Sequence, residues 1–568
     1  MNSKMKTIEI PNIFTVQELF LRSANKFGNK LALKDIKDTP ISELTYSELL
    51  SKILKFGNAL KKVGIKERTH IAIIGDNSVQ WTVSFLTCMC FNYVAVPIDK
   101  SLSENEILNI IYESDSEVII FSKNFSQFLF SERSVLKNIK HCICMENVDV
   151  FKDFLEMKEI IDESEELPIN QLPKIDADKY TEIVYTSGSL GRAKGVMLSQ
   201  RNLSSNMLDI MRVLFVYPQD RILSILPIHH TFESTAGILY PLSCGASIHF
   251  SQSLKTLVED LQTVKPTIIC GVPLLFEKIY KKIINSIKEN TVKKILVPVL
   301  VKTTNIARGF GLKNLKKIIF SQLHKIFGGK IRAFIVGGAS SDPEIAKAYI
   351  DFGFNYVIGY GLTETSPILA SNSLRKLRHD TTGIPFPSVQ IKINNPDKDG
   401  RGEIYAKGPN IMLGYYKNEK LTQEAFDGDW FKTGDVASMD KKGYIYISGR
   451  KKNVIISKSG KNVFPEEIED MLNKSEYILE SVVYGKKDKK WNEIVAAKIV
   501  LNFESFIKLA TQKKIELEEK FIHSTIGKEI EKINKQLSKF KRIKFFEIQN
   551  NEFEKTTTQK IKRYLVLE

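Results

Sequence analysis

One stretch of the chain constrains the rest more than any other, the glycine-rich segment YTSGSLGRAKGVML at residues 185–198. Its glycines, small hydroxyl side chains and cations are Gly188, Gly191, Gly195, Thr186, Ser187, Ser189, Arg192 and Lys194. The apolar run at 182–185 predicts a strand, so the segment follows the end of a strand. Glycines let the backbone approach a ligand closely, and successive N–H groups can form an anion-binding concavity. The segment therefore predicts a phosphate-binding loop.

The spacing differs from that of a Walker A loop, which needs Gly directly before the lysine and Ser or Thr directly after it. Here Ala193 and Gly195 flank Lys194. A surface turn with incidental charges is the alternative interpretation, and other motifs in the chain must decide between the two.

Composition sets broad limits on the class of protein. The 568 residues predict several domains, and 43% hydrophobic with 26% charged residues is typical of a soluble globular protein. The net charge of +16 permits nucleic-acid or anionic-membrane binding, but the lysines are scattered along the chain. Six cysteines in this length predict no disulfide framework, which favours a reducing cytoplasm.

Membrane segments and secretion are not expected from the sequence. The first residues lack the apolar run of a signal peptide. The most apolar stretch, 81–98, contains polar residues that suit a buried helix followed by a strand better than a membrane span.

Alternating patterns predict the fold class. Helical patterns at 16–27 and 46–63 alternate with short apolar runs such as 31–33, as in a parallel sheet covered by helices. From 380 to 450, short strands separated by Gly, Pro and Asp predict a β-rich subdomain. Gly449 and the consecutive cations that follow it predict an exposed linker.

Three further motifs follow predicted strands. The stretch LPIHHTFE at 226–233 carries a histidine pair, for which a metal site, a general base and a packed core pair are all open. Two others, IRAFIVGGASSDPE at 331–344 and YVIGYGLTETSP at 356–367, are strands that run into glycine turns. Ligand sites in α/β proteins form at such carboxyl ends of parallel strands.

These motifs together carry a resemblance to a known family. The glycine-rich segment resembles the YTSGTTGxPKGV signature of the adenylate-forming superfamily, with Ser189, Leu190 and Ala193 as departures. LPIHHTFE is similar to LPLxHxFE of long-chain fatty acyl-CoA synthetases, and the two glycine turns are similar to GGAPLSPE and QGYGLTET. Ile358 replaces the Gln of the last motif.

The resemblance continues to the end of the chain and covers residues 13 to 564. WFKTGD at 430–435 matches a family motif, and KTTTQKIKR at 555–563 resembles PKTxSGKIxR with Gln559 in place of Gly. The resemblance implies a large N-terminal α/β domain (1–447), a hinge (448–452) and a small mobile α+β domain (453–568).

The resemblance also implies roles for individual residues. The phosphates of ATP are assigned to Thr186, Ser187, Gly188, Ser189, Gly191 and Lys194. The adenine slot is assigned to Gly337, Gly338, Ala339 and Tyr360, the α-phosphate to Thr363, and the ribose to Asp435 and Arg450.

The remaining assignments concern chemistry and the other substrates. Glu364 and Thr186 are implied as ligands of Mg²⁺, and His230 and Phe232 as residues of the acyl site. Lys452 is implied as the hinge, Gly460 as part of the CoA tunnel and Lys560 as the catalytic lysine. Lys194, Thr363 and Glu364 complete the implied catalytic set.

The resemblance implies that ATP, Mg²⁺ and CoA are used to convert a medium- to long-chain fatty acid into its thioester, through an acyl-adenylate. Transfer to an acyl carrier protein is the alternative, and a silent lipid- or nucleotide-binding homologue is a remote one. Nucleic acid is not an expected partner. The basic, apolar region 281–328 has two interpretations, an ordinary surface element or peripheral contact with the inner face of a membrane.

Overall fold

The structure is a computed structural model that describes residues 13–36, 42–148, 151, 153–186, 193–251, 253–289, 291–309, 315–457, 461–487, 493–556 and 560–567. The chain divides into two compact units. The first comprises Met1–Ile391 and Ala406–Phe431, and the second comprises Lys392–Tyr405 and Lys432–Glu568.

Strands occur along the whole of the described chain. They are β1 (Leu31–Asp35), β2 (Glu43–Thr45), β3 (His70–Ile74), β4 (Val94–Ile98), β5 (Val118–Phe121), β6 (His141–Cys144), β7 (Leu155–Glu156), β8 (Tyr180–Thr186), β9 (Lys194–Ser199), β10 (Arg221–Ser224), β11 (Ser247–Phe250), β12 (Ile268–Gly271), β13 (Ala333–Val336), β14 (Tyr356–Gly361), β15 (Ile368–Ser371), β16 (Ile384–Pro385), β17 (Gln390–Asn394), β18 (Gly402–Lys407), β19 (Gly414–Tyr415), β20 (Phe426–Asp427), β21 (Trp430–Met439), β22 (Ile445–Arg450), β23 (Ile455–Ile456), β24 (Asn462–Val463), β25 (Ile478–Lys487), β26 (Glu493–Leu501) and β27 (Phe545–Gln549).

Helices alternate with these strands. They are α1 (Val16–Phe27), α2 (Tyr46–Lys62), α3 (Val79–Cys90), α4 (Glu104–Glu113), α5 (Ser126–Ser131), α6 (Met157–Asp162), α7 (Gln200–Val213), α8 (Tyr240–Ser243), α9 (Leu257–Val264), α10 (Pro273–Lys288), α11 (Thr291–Gly309), α12 (Leu315–Ile319), α13 (Ser321–Ile326), α14 (Pro343–Asp351), α15 (Glu419–Ala425), α16 (Pro465–Leu472), α17 (Phe503–Lys513), α18 (Glu519–Gln536) and α19 (Arg563–Leu567). A π-helix, Phe232–Leu239, precedes α8.

The first unit contains two large sheets. One has the strand order β16-β15-β14-β13-β12-β10-β11-β1-β2, and the other has the order β19-β9-β8-β4-β3-β5-β6-β7. Strands β14 to β1 of the first sheet and β8 to β7 of the second pair in parallel, while the outer pairings are antiparallel. The mostly parallel, helix-covered α/β fold predicted from the alternating patterns is confirmed.

Local sequence explains how the helices of this unit form. Thr45 and Glu48 make a reciprocal capping box at the start of α2. Gly57 of α2 lies against the Phe91 ring, where a Cβ atom would lie 2.1 Å from the nearest ring carbon. Every residue of α3 is buried, with Trp81 stacked on Phe85 at 5.2 Å between ring centroids. The apolar stretch at 81–98 is therefore a buried helix and strand, as predicted.

The second unit combines strands and helices. Strand β25 pairs antiparallel with β26, and β26 pairs in parallel with β27. Residues of α16 and α18, among them Ile468, Leu472, Ile526 and Ile530, are buried against this sheet. Strand β21 pairs antiparallel with β22. Because residues 392–405 and 432–447 belong to this unit, it is larger than the predicted C-terminal domain, and the hinge at 448–452 stays a prediction.

Across the described ranges, we find no helix that combines the length and the apolar character needed to cross a membrane.

Candidate active site

The glycine-rich segment is flanked by a β-hairpin. Thr186 ends β8, Lys194 begins β9, and the two are Cα partners across the antiparallel pair. Four residues predicted to bind phosphate, Ser187, Gly188, Ser189 and Gly191, lie outside the described residues. At Gly195 a Cβ atom would lie 2.9 Å from Ile183 Cγ2, so glycine lets the two strands approach closely. The pairing of β8 with β9 thus places Thr186, which carries a hydroxyl, beside Lys194, which carries a cation.

Glu364 comes from the other sheet of the same unit. It lies in a single turn of 3₁₀-helix, Thr363–Thr365, directly after β14. At Gly361 a Cβ atom would lie 1.8 Å from the carbonyl oxygen of Pro367, so only glycine permits this turn. Thr363 and Glu364 are both half-buried, which leaves part of each side chain accessible to a ligand.

Tyr415 connects Lys194 with Glu364. Its hydroxyl donates a hydrogen bond to Glu364 Oε1 at 3.0 Å, and Lys194 Nζ lies 5.1 Å from the centroid of its ring. The backbone N–H of Met412 also donates to the carbonyl oxygen of Glu364 at 2.9 Å. The structure therefore brings the predicted phosphate-binding lysine to the ring of Tyr415 and the predicted metal-binding carboxylate to its hydroxyl.

The predicted adenine residues lie at the carboxyl edge of the first sheet. Strands β13 and β14 are parallel neighbours, so Gly337 and Gly338, after β13, emerge beside Tyr360 near the end of β14. Gly338 has a φ of +86°, which favours glycine. A Cβ atom at Gly337 would lie 3.5 Å from the Phe232 ring. Ala339 is exposed at the same turn, and Phe232 of the predicted acyl site contacts this edge.

The histidine pair lies between β10 and the π-helix. His229 Nε2 is 3.4 Å from Asp99 Oδ2, and the rings of His229 and His230 are 4.5 Å apart. Asn77, after β3, donates to the carbonyl oxygen of Leu226 at 2.6 Å and accepts from the N–H of Ile228 at 3.1 Å. These bonds fix the loop that carries His230.

Glu233 is a buried carboxyl group at the start of the π-helix, and only 1% of it is exposed. Within the described part of the chain, neither of its oxygens makes a hydrogen bond of good geometry. Burial raises its pKa to about 8, partly offset by the Ser224 hydroxyl. A Cβ atom at Gly237 would lie 2.7 Å from Glu233 Oε2, so the glycine makes room for the carboxyl group. Glu233 is therefore a neutral acid at pH 7.

Asp435 and Arg450 face each other in the second unit. They are Cα partners in the β21–β22 pair, and Arg450 Nε lies 2.9 Å from Asp435 Oδ1. Arg450 also donates to the carbonyl oxygen of Thr433 at 3.1 Å. The two residues predicted to bind ribose are thus adjacent, and Asp435 is buried.

The remaining predicted residues also belong to the second unit. Lys452 lies in a single 3₁₀ turn, Lys451–Asn453, between β22 and β23. Lys560 is exposed, and its backbone N–H donates to Thr556 Oγ1 at 3.2 Å. Gly460, predicted to line a CoA tunnel, lies outside the described residues.

One half-buried carboxylate, that of Glu364, is available as an oxygen ligand for a hard divalent cation. Among the residues that the structure describes, no group of three or more His, Cys, Asp or Glu could hold a metal ion. Mg²⁺ is commonly bound through one or two carboxylates together with substrate phosphates and water. The half-buried carboxylate of Glu364 fits that pattern, and its Oε1 already accepts a hydrogen bond from Tyr415.

Comparison with known proteins identifies the family. The pattern of the AMP-binding enzyme family matches residues 20–416, which is more than half of the chain. The chain belongs to the AMP-binding enzyme family. Relatives of this AMP-binding enzyme include a chloroplastic long-chain-fatty-acid–[acyl-carrier-protein] ligase of Arabidopsis thaliana, 28% identical over 553 residues and covering 84% of this chain and 76% of the relative.

A long-chain-fatty-acid–CoA ligase of Gallus gallus is 29% identical over 532 residues, covering 86% of this chain and 68% of the relative. Among solved structures, an anthranilate CoA ligase in complex with anthranoyl-AMP matches with a TM-score of 0.77 at 20% identity, covering 98% and 97% of the two chains. ATP-bound MatB from Rhodopseudomonas palustris matches with a TM-score of 0.75 at 23% identity, covering 97% and 98%. These likenesses show the fold of the AMP-binding enzyme.

Sequence reasoning missed two features of this site. Tyr415 carried no assignment, and the only local signal is its position after Gly414 in an apolar stretch. The contact between His229 and Asp99 was also missed, because the two residues are far apart in the chain.

Glu233→Gln should stabilise this AMP-binding enzyme at neutral and alkaline pH. The folded state holds a proton on Glu233 up to a pKa of about 8, whereas the unfolded state loses it near the ordinary value of 4.5. Stability therefore falls as pH rises from 4.5 to 8, and the substitution should recover about 2–3 kcal/mol at pH 7. Denaturant unfolding of parent and variant between pH 4.5 and 8.5 measures the difference.

Glu163→Gln, at an exposed glutamate, is the matched control and should leave the free energy of unfolding nearly unchanged at every pH. If the difference between Glu233→Gln and the parent is the same at pH 5 and pH 8, Glu233 is not protonated in the folded state.

Proposed function

We propose that the protein is an AMP-forming ligase that activates a medium- to long-chain fatty acid with ATP and transfers the acyl group to CoA. Membership of the AMP-binding enzyme family supports adenylate formation. The fatty substrate is proposed because the relatives include long-chain-fatty-acid–CoA ligases.

One observation of the structure carries the proposal. Lys194 and Glu364 come from different motifs and different sheets, yet both contact Tyr415, the lysine at the ring and the carboxylate at the hydroxyl. A cation and a carboxylate held near each other without an ion pair suit a ligand that carries both phosphates and a metal ion. This arrangement favours a nucleotide-using enzyme over a protein that binds lipid alone.

The proposed chemistry uses the residues as follows. Lys194 lies at the phosphates and offsets the negative charge that repels the incoming fatty carboxylate. Mg²⁺, held by Glu364 with Thr186 nearby in the proposed set, supplies further charge neutralisation when it is bound. Lys560 aligns the carboxylate with the α-phosphorus, the acyl-adenylate forms, and pyrophosphate leaves. The CoA thiolate then attacks the acyl carbon and AMP leaves.

The acyl group is proposed to lie near His230 and Phe232. Phe232 lies against Gly337, at the strand edge assigned to adenine, which suits a carboxylate presented toward the nucleotide. The loop that carries His230 is fixed by Asn77, so the imidazole occupies a defined position.

An acyl carrier protein is the second candidate acceptor. The observation that favours it is the long-chain-fatty-acid–[acyl-carrier-protein] ligase among the relatives. The first half-reaction is the same for both acceptors, so only the second step separates them.

A fatty-acid panel from hexanoate to octadecanoate, with ATP and Mg²⁺, tests the function. AMP release is followed with CoA and, separately, with a carrier protein that bears phosphopantetheine. We expect acid-dependent AMP release and acyl-CoA as the product. Glu364→Gln should lower acid-dependent pyrophosphate exchange by about 100-fold. A folded protein that releases no AMP with any acid would contradict the proposal, and release only with carrier protein would favour the second acceptor.

The second prediction for this function is that Lys560 and Lys452 are needed in different half-reactions. Lys560→Ala should abolish acyl-adenylate formation yet leave thioester formation from supplied acyl-adenylate and CoA largely intact. Lys452→Pro should do the reverse, because proline fixes φ at the proposed hinge. Single-turnover assays of each half-reaction measure both effects.

Lys452→Ala is the matched control, since it removes the side chain without restricting the backbone, and both half-reactions should persist. Each variant needs a thermal melt close to that of the parent. Equal damage to both half-reactions in folded Lys560→Ala would support one fixed arrangement in which Lys560 acts throughout.

We further propose that region 281–328 contacts an anionic membrane surface. Ile295, Val299 and Ile306 of α11 are exposed along one side of the helix. Exposed Lys294 and Lys302 lie on the same helix. Exposed apolar side chains between cations suit the interfacial region of an anionic bilayer.

Co-sedimentation with phosphatidylglycerol vesicles tests the contact. We expect binding at low salt and release at high salt, because salt screens surface charge. Ile295→Gln with Val299→Gln should weaken binding, whereas Val135→Gln with Ile169→Gln, at exposed apolar positions elsewhere in the same unit, should not. Equal sedimentation of both double variants, or none by the parent at low salt, would show that α11 is an ordinary surface element.

A further inference from the structure

Tyr415 is held rigidly by the backbone around it. Tyr415 and Gly414 pair with Val196 and Met197 of β9, and the N–H of Tyr415 donates to Thr422 Oγ1 at 2.9 Å. Gly414 has a φ of +142°, and a Cβ atom there would lie 2.7 Å from Thr422 Cγ2. Only 6% of Tyr415 is exposed. Its ring and hydroxyl therefore occupy a fixed place beside β9.

The two ends of this side chain meet two different charges. The ring face attracts the ammonium group of Lys194, whose Nζ lies 5.1 Å from the centroid. The hydroxyl donates to Glu364 Oε1 at 3.0 Å, so one of the two carboxylate oxygens is engaged by the tyrosine. Within the described ranges neither Lys194 nor Glu364 has an ion-pair partner.

Because both groups contact the same tyrosine, their opposite charges attract each other and favour a direct ion pair. In a half-buried site such a pair is stronger than in water, and it would occupy the lysine and the carboxylate together. A ligand that needs both groups would first have to break it. The contact with the aromatic ring stabilises the ammonium group of Lys194 without neutralising the carboxylate of Glu364.

We propose that Tyr415 is a positioning residue that keeps Lys194 and Glu364 apart and oriented before the substrate binds. Its ring places the lysine for the phosphates, and its hydroxyl sets the direction of the carboxylate for the divalent cation. This inference rests on the proposed function, because it takes ATP and Mg²⁺ as the ligands.

Two substitutions separate the two contacts. Tyr415→Phe keeps the ring under Lys194 and removes the hydrogen bond to Glu364, whereas Tyr415→Leu removes both. Tyr416→Phe is the matched control, because this neighbouring hydroxyl donates to Asp115 Oδ2 at 2.7 Å instead. Thermal melts establish that each variant is folded.

Binding measurements test the proposal without turnover. Mn²⁺ binding to the protein with α,β-methylene-ATP is followed by electron paramagnetic resonance, and binding of the analogue alone, in EDTA, by calorimetry. Tyr415→Phe should weaken Mn²⁺ binding about tenfold and leave metal-free binding of the analogue unchanged. Tyr415→Leu should weaken both, and Tyr416→Phe should weaken neither.

Two results would overturn the inference, and they are distinguishable from each other. If Tyr415→Phe binds Mn²⁺ as tightly as the parent while the parent binds the analogue normally, Tyr415 does not position Glu364. If the parent binds no analogue with or without Mn²⁺, the proposed function itself fails and the inference fails with it. Should Tyr415→Leu unfold, Tyr415→Phe decides the matter alone.

Discussion

The candidate site depends on one short backbone pairing, that of β19 with β9. The N–H of Leu413 donates to Met197 at 3.0 Å and that of Tyr416 donates to Gly195 at 2.7 Å, while Met412 donates to Glu364. Strand β9 and the turn that carries Glu364 are associated with different sheets, and this pairing links their positions directly. An edge strand offers unpaired N–H and C=O groups, and here residues 412–416 use them to join the two sheets.

Burial of ionisable groups is the second constraint on the unit. Glu182 and Glu233 are both fully buried, and burial raises the pKa of each to about 8. Such groups persist only where the surrounding apolar core is large enough to offset their desolvation. Glu233 follows Phe232 directly, so the carboxyl group with this desolvation penalty lies beside the proposed acyl site. Perturbed acids gather at functional sites more often than elsewhere.

The sequence predicted the elements that have a local signal. The helical period at 16–27 corresponds to α1 with the same bounds, and the apolar run at 182–185 lies within β8. The glycine turns after β13 and β14 were predicted because glycine permits conformations that other residues avoid. These features depend on neighbouring residues, so they can be recognised in a single sequence.

Features that depend on distant residues were not predicted. Strand β19 has only two residues, which is too short to show a periodic pattern of apolar residues. The sequence therefore carries no signal for its pairing with β9 or for the contacts of Tyr415. The π-helix at 232–239 has apolar spacing that an α-helix would also satisfy, and the wider turn depends on tertiary packing around Glu233. The partner of His229, Asp99, becomes visible only once β4 and β10 are placed.

Each unit holds one predicted ligand-binding carboxylate, Glu364 in the first and Asp435 in the second, and each carboxylate accepts from a donor within its own unit. Glu364 Oε1 accepts from the Tyr415 hydroxyl, and Asp435 Oδ1 accepts from the Arg450 guanidinium on the neighbouring strand. In each case a donor on a β-strand engages one oxygen of the carboxylate, which restricts its orientation before a ligand binds. Groups held in place before binding need little reorganisation when charge develops in the reaction. The β-pairings that carry these donors are therefore as important to the proposed chemistry as the carboxylates themselves.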